Sequence, residues 1–318
     1  MSRRRLSRRQ QGRIEAAQDA WRDSDAHQQG LVVSHQGGRI LVELDPSTAL
    51  ECKIKSNLGS VVCGDQVVIE TTAQGEHRAL AILERDNLLQ RIDGYGKARA
   101  VAANISQLVV CLATLPEPNL FLLDQYLVAA EQQAVDAVIV LNKTDLPGSA
   151  PIREQIERVY APLGYRVIGT SVENGLGMEA FRKLLVDELS VLCGVSGVGK
   201  SSLTHWLLPD EPIRIADISN ANEEGRHTTR SSRLYHLPGG GDLIDTPGVR
   251  GFTPFIDDAS TPTSGFREIS EHAGACRFND CRHLDEPGCA VTEARADGRI
   301  DESRYQSYLK LLEQVADN

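Results

Sequence analysis

Residues 194–202 read GVSGVGKSS and follow directly on an apolar stretch, LSVLC (189–193). A G-x-x-x-x-G-K-[ST] run between an apolar strand and a helix is a phosphate-binding P-loop. Gly194, Gly197 and Gly199 let the backbone wrap closely around phosphate. Successive amides, with Val195, Ser196, Val198 and Ser202 among their residues, and the helix N-terminus supply positive partial charge. Lys200 is placed to reach the β- and γ-phosphates, which makes it a candidate for catalysis as well as binding. Ser201 offers its hydroxyl to Mg2+.

A P-loop does not choose between ATP and GTP, but NKTD (142–145), at the end of AVIVL, does. Asp145 can accept from the ring N–H and the exocyclic amine of guanine. Adenine has no such donor pair, and a carboxylate left without donors penalises the wrong base. Asn142 is expected to bridge the base and the neighbouring loop, with the Lys143 stem along the ring. TSVEN (170–174) lies where a base loop sets a backbone N–H on the guanine oxygen, which nominates Ser171 and Val172. DTPG (245–248) ends GGGDLI: Asp245 holds Mg2+ through water and the Gly248 amide senses the γ-phosphate.

The order of these motifs is unusual. Ordinary GTPases run P-loop, DxxG, NKxD, base loop, whereas here NKTD and TSV precede the P-loop. A circular permutation of one three-dimensional site accounts for this, and it leaves DTPG running almost directly into the C-terminal region. Val249 stands where Ras-type proteins carry a water-orienting glutamine, and valine neither donates nor accepts a hydrogen bond.

The elements that position these residues fall into three groups, preceded by a tail. Residues 1–28 are polar and carry Arg3, Arg4, Arg5, Arg8, Arg9 and Arg13, so a basic flexible tail is expected there. LVVS (31–34), RILVEL (39–44), ECKIK (51–55), DQVVIE (65–70) and HRALAILE (77–84) alternate with turns, the rhythm of a small OB-fold barrel over 29–90. From QLVVCLAT (107–114) onward, apolar strands alternate with helical stretches at 120–134, 151–161 and 176–188, which predicts a parallel α/β sheet within a GTPase domain over 91–256. RLYHLPGGGDLIDT (233–246) predicts a hairpin.

Residues 257–318 form the third group, with an amphipathic helix near 301–315 and the segment CRFNDCRHLDEPGC. Cys276, Cys281, His283 and Cys289 have the spacing C-x4-C-x-H-x5-C, three thiolates and one imidazole for a closed, structural Zn2+ site. His272 is the competing ligand. Cys52, Cys63, Cys111 and Cys193 lie in apolar strands and are expected to pack.

The fold class is therefore multi-domain: an N-terminal β-barrel, a central α/β circularly permuted P-loop GTPase and a C-terminal α-helical zinc domain. The formal net charge is −10 over 318 residues, so affinity for a phosphate backbone must come from local patches such as the arginines of 3–13. No apolar run reaches the length of a membrane-spanning helix, and no secretory stretch is present. A cytoplasmic protein with no membrane partner is expected, and a monomer.

Motifs and order together resemble the RsgA/YjeQ/YloQ family of circularly permuted GTPases, from the LSRRQQGRI start to the cysteine cluster. The resemblance implies GTP hydrolysis to GDP, the small ribosomal subunit and its rRNA as partner, late maturation of that subunit as the task, and stimulation of hydrolysis by it. GRHTT (225–229) resembles the family's first switch, with Thr229, or else Thr228, as magnesium ligand. His227, just before these threonines, is the local candidate to position water in place of the missing glutamine. Val195, Val172 and Glu173 depart from the family pattern. A metabolic P-loop kinase is disfavoured by NKTD. A nucleotide-gated rRNA-binding module in which hydrolysis is incidental shares every motif.

Overall fold

The computed structural model describes residues 27–55, 58–211, 232–245, 254–256, 261–284 and 286–316. Five strands, β1 (Gln28–Gln36), β2 (Arg39–Asp45), β3 (Thr48–Ile54), β4 (Gln66–Thr71) and β5 (His77–Ile82), close on themselves in the order β1-β2-β3-β5-β4-β1. Alternation along each strand sends Val32, Ile40, Val42, Cys52, Val67, Ile69 and Ala79 into the barrel interior. A register shift between Val32 and Ser34 divides β1. Its first half pairs with β4; its second half stays paired with β2 on one edge and on the other turns to a strand outside the barrel, as bulges allow.

A hairpin, β6 (Leu88–Ile92) with β7 (Ala98–Ala103), lies between the barrel and the next layer and straddles the 90/91 division read from sequence. Its turn is fixed by Asp93, whose Oδ1 accepts from the amides of Tyr95 at 2.9 Å and Lys97 at 3.0 Å.

The α/β layer follows as β8 (Gln107–Ala113), α1 (Leu120–Gln132), β9 (Asp136–Asn142), α2 (Ser149–Tyr160), β10 (Arg166–Gly169), α3 (Met178–Leu184), β11 (Leu189–Cys193), α4 (Lys200–Leu207), β12 (Ser232–His236) and β13 (Asp242–Asp245). Strand order is β10-β9-β8-β11-β13-β12, parallel except for β12. The P-loop strand β11 sits at the centre although it is fourth of these strands in the chain, which is the permutation made visible. The helix expected over 176–188 stops at Leu184, and Asp187, at a φ of 62°, turns the chain into β11. β12 also pairs with the second half of β1, so barrel and α/β layer share one eleven-stranded sheet.

The C-terminal part holds α5 (Thr261–Gly265), α6 (Arg267–Ala273), α7 (Ala290–Ala296) and α8 (Glu302–Ala316). Only the last was legible as an amphipathic repeat. This unit packs on α1, whose residues Leu123 to Ala130 are all buried because the helix is covered on both sides. At their contact, the fully buried Arg304 of α8 donates to Asp124 of α1 at 2.6 Å and to Glu268 of α6 at 2.7 Å, while Tyr160 of α2 donates to Asp124 at 2.7 Å. Burial works against the Arg304 charge; the two carboxylates outweigh it and hold the pKa above the ordinary arginine value. Among the described residues, no helix is long and apolar enough to cross a membrane.

Candidate nucleotide and metal sites

The C-terminal ends of β8, β9, β11 and β13 meet at one edge of the sheet, where open α/β sheets bind ligands. Four strands carry the motifs on this edge: NKTD is at the end of β9, TSV follows β10, the P-loop follows β11 and DTPG begins at the end of β13. After β11, Gly194 has a φ of 132°, and a Cβ on it would lie 2.1 Å from the Cys111 carbonyl oxygen. Only glycine fits between the neighbouring strand and the loop. Gly199 is likewise left-handed at 94°, and a Cβ there would sit 2.3 Å from Asn142 Nδ2. Val198 is buried beneath the loop, while Val195, Gly197, Ser201 and Ser202 are half-buried and Ser196 is exposed. Lys200 Nζ lies inside the curve, donating to the carbonyls of Gly194 at 2.7 Å and Val195 at 2.8 Å.

NKTD is tied to this loop. Asn142 Nδ2 donates to the Val198 carbonyl at 2.9 Å, and its Oδ1 accepts from Thr170 Oγ1 at 3.1 Å. Lys143, at a φ of 60°, turns its ammonium back to Gly197 O at 2.6 Å and Leu115 O at 2.9 Å. Asp145 is exposed and one of its oxygens accepts from Ser171 Oγ at 2.6 Å. Ser171 is buried and Val172 half-buried, so TSV and NKTD form one recess. Asp245 ends β13, two strands from β8 and next to the P-loop strand.

Sequence reasoning overlooked two threonines. Thr170 holds the Asn142 amide from behind, and Thr114 Oγ1 donates to the Lys143 carbonyl at 3.1 Å. Their position as first residues after apolar strands was the available signal. Gly248, Val249, His227, Thr228, Thr229 and the arginines of 3–13 lie outside the described residues.

The second cluster is Cys276, Cys281, His283 and Cys289, whose ligand atoms lie within 4.8 Å of one another. Cys276 Sγ is 3.9 Å from Cys289 Sγ and 3.4 Å from His283 Nδ1, and Cys289 Sγ is 3.6 Å from the same nitrogen. Zinc–sulfur bonds of about 2.3 Å in a tetrahedron put ligand atoms about 3.7 Å apart, so the donor set and its spacing fit a metal ion of that kind. His272, the competing ligand, is not in the cluster. His283 takes a left-handed φ of 59°, and the loop that carries it is held by Tyr305 Oη, donating to the His283 carbonyl at 2.6 Å, and by Tyr308 Oη, donating to that of Arg282 at 2.9 Å. The other four cysteines are buried, and burial pushes the thiols of Cys63 and Cys111 up to about 12, as for inert packing groups.

A phosphate loop, a guanine-selecting motif bonded to it, and a central P-loop strand that comes late in the chain define a circularly permuted P-loop GTPase. The family model described as RsgA GTPase matches residues 82–254, and relatives match along the whole length. The chain belongs to the RsgA GTPase family. It is 41% identical to a protein of Pseudomonas fluorescens named small ribosomal subunit biogenesis GTPase RsgA, over 100% of this chain and 99% of that one. It is 40% identical to the protein of that name from Saccharophagus degradans, over 100% and 98%. Among solved structures, YjeQ from Thermotoga maritima superposes with a TM-score of 0.71 at 30% identity, covering 92% of this chain and 99% of the other. YloQ, described as a circularly permuted GTPase, gives 0.70 at 25% identity, covering 93% and 97%.

Proposed function

We propose that this GTPase acts on the small ribosomal subunit during its late maturation, hydrolysing GTP to GDP and phosphate when bound there. The observation that carries the reading is the convergence of NKTD, TSV and the P-loop on one sheet edge, in a chain that matches proteins named for small-subunit biogenesis over its full length. In this reading Asp145 and Asn142 select guanine, with Ser171 and Val172 closing the base loop. The amides of residues 194–202 and Lys200 bind the phosphates. Ser201, Asp245 through water and Thr229 or Thr228 would hold Mg2+, which supplies charge neutralisation at the phosphates. Gly248 would sense the γ-phosphate.

The cysteine cluster is assigned Zn2+, as a closed structural site that staples the 257–318 domain. Elemental analysis of protein kept reduced is expected to return one zinc per chain; none would remove the assignment. The domain divisions at 28, 90 and 256 belong to the same reading, as do a cytoplasmic monomer and an arginine arm that contacts rRNA phosphate. Co-sedimentation with small subunits, large subunits and whole ribosomes in each nucleotide state tests the partner. Retention on small subunits that depends on GTP is expected; indifference to subunit type would refute it.

A further inference from the structure

β12 begins three residues after Thr229 of GRHTT, and β13 ends on Asp245, the first residue of DTPG. The β12–β13 hairpin thus lies between the two switch motifs in the chain, and its β12 pairs with β1 of the barrel. The backbone seam between β1 and β12 is short, with Ser34 opposite Arg233 and His35 opposite Ser232. A side chain extends it. His236, the last residue of β12, stands between Glu43 of barrel strand β2, whose Oε2 is 3.0 Å from Nε2, and Asp242 of β13, whose Oδ1 is 2.6 Å from Nδ1.

We propose that His236 is a positioning residue: its imidazolium pins the barrel to the hairpin between the switch motifs and thereby sets how the Asp245 end of that hairpin meets the nucleotide site. The positioning half of this rests on the reading of Asp245 as a magnesium-side residue. A neutral imidazole carries one N–H, so between two carboxylates one ring nitrogen would aim a lone pair at an oxygen. The protonated ring donates to both. Partial burial works against the charge, yet the bonds to Glu43 and Asp242 outweigh it and raise the pKa above the ordinary histidine value.

Two packed elements bring carboxylates to the His236 ring. Glu43 comes from β2 and Asp242 from β13. On β1 the titratable group is His35, which lies at the far end of the seam, opposite Ser232, and which burial biases toward neutrality. On β12 itself Arg233 is engaged by Glu211 at 3.7 Å and lies over the Tyr235 ring. In the loop before β11, Glu188 accepts from Ser106 Oγ. The sign follows. Because the folded pKa is raised, the pin is in place below the ordinary histidine pKa of about 6.5 and is lost as pH climbs through the raised value. The His236 side chain is 52% exposed, so the effect is modest, about fivefold in the opening of the seam.

The test is amide hydrogen exchange on the full chain from pH 6 to pH 9, corrected for intrinsic exchange, read on β1 and β12 and compared with the β2–β3 ladder inside the barrel. Opening of the β1–β12 seam is expected to rise about fivefold with pH in the wild type, to be high and flat in His236→Gln and Glu43→Gln, and to leave the β2–β3 ladder unchanged. A seam that ignores pH in the wild type, or keeps its pH dependence in His236→Gln, overturns the pin. The positioning half is read in GTP turnover: His236→Gln is expected to lower kcat severalfold with KM unchanged. Unaltered kcat overturns it. Asp245→Asn, assayed alongside, separates the two readings, because normal turnover in that variant would fault the magnesium assignment and leave the seam result standing.

Discussion

Asp145 gives one oxygen to the Ser171 hydroxyl and is otherwise exposed at the mouth of the base recess, with Asn142 held between Thr170 and the P-loop behind it. In the proposed reading, selectivity for guanine rests on this one carboxylate, which Ser171 orients. Asp145→Asn reverses a donor–acceptor match and is expected to weaken GTP by about 2 kcal/mol, roughly thirtyfold, while admitting xanthine nucleotides. Competition against a fluorescent GTP analogue measures both, and equal affinity for GTP and ATP in the wild type would contradict the base assignment. At this scale the sequence was informative wherever a motif is contiguous: Lys200, Asp145 and the three P-loop glycines announce themselves by spacing. Thr114 and Thr170 do not, since each acts on a strand end far from it in the chain and only sheet order brings them together.

Among the elements, α1 is the one on which the C-terminal unit is seated. Its Asp124 shares Arg304 with Glu268, and Gly265 of α5 approaches so closely that a Cβ would lie 2.5 Å from Val128. Arg304→Met is expected to destabilise the protein by about 3–5 kcal/mol, because two carboxylates then stay buried without their cation. A urea midpoint shift measures this; a shift under about 1 kcal/mol would mean that the carboxylates find protons or water instead. From sequence, Arg304 reads as one more charge on an amphipathic helix, and nothing local reveals that it faces a helix 180 residues earlier. The β6–β7 hairpin escaped notice because its short strands, LLQRI and the alanine-rich ARAVAA, lack the strict apolar–polar alternation that marks a half-buried sheet.

For the molecule as a whole, the barrel, the permuted GTPase sheet and the cysteine-bearing unit were each legible, because each carries its own periodicity or ligand spacing. Their joints were not, since β1 meets β12 across some 200 residues of chain through a bulge that no pattern announces. In the chain, β12 lies between the two switch motifs, so turnover is expected to be the property that responds to a docked partner. With Val249 unable to orient water, hydrolysis by the free protein is expected to be slow, and the missing help to arrive on the subunit. His227→Ala is expected to bind GTP and subunits normally but to lose the stimulation; full stimulation in that variant would move the role to a group supplied by rRNA. The central claim is tested most directly by single-turnover GTP hydrolysis, with and without purified small subunits. An acceleration of roughly 10³-fold or more by small subunits, absent with large subunits, is the predicted result; an unchanged rate at saturating subunit would contradict the account and leave a binding module in which hydrolysis is incidental.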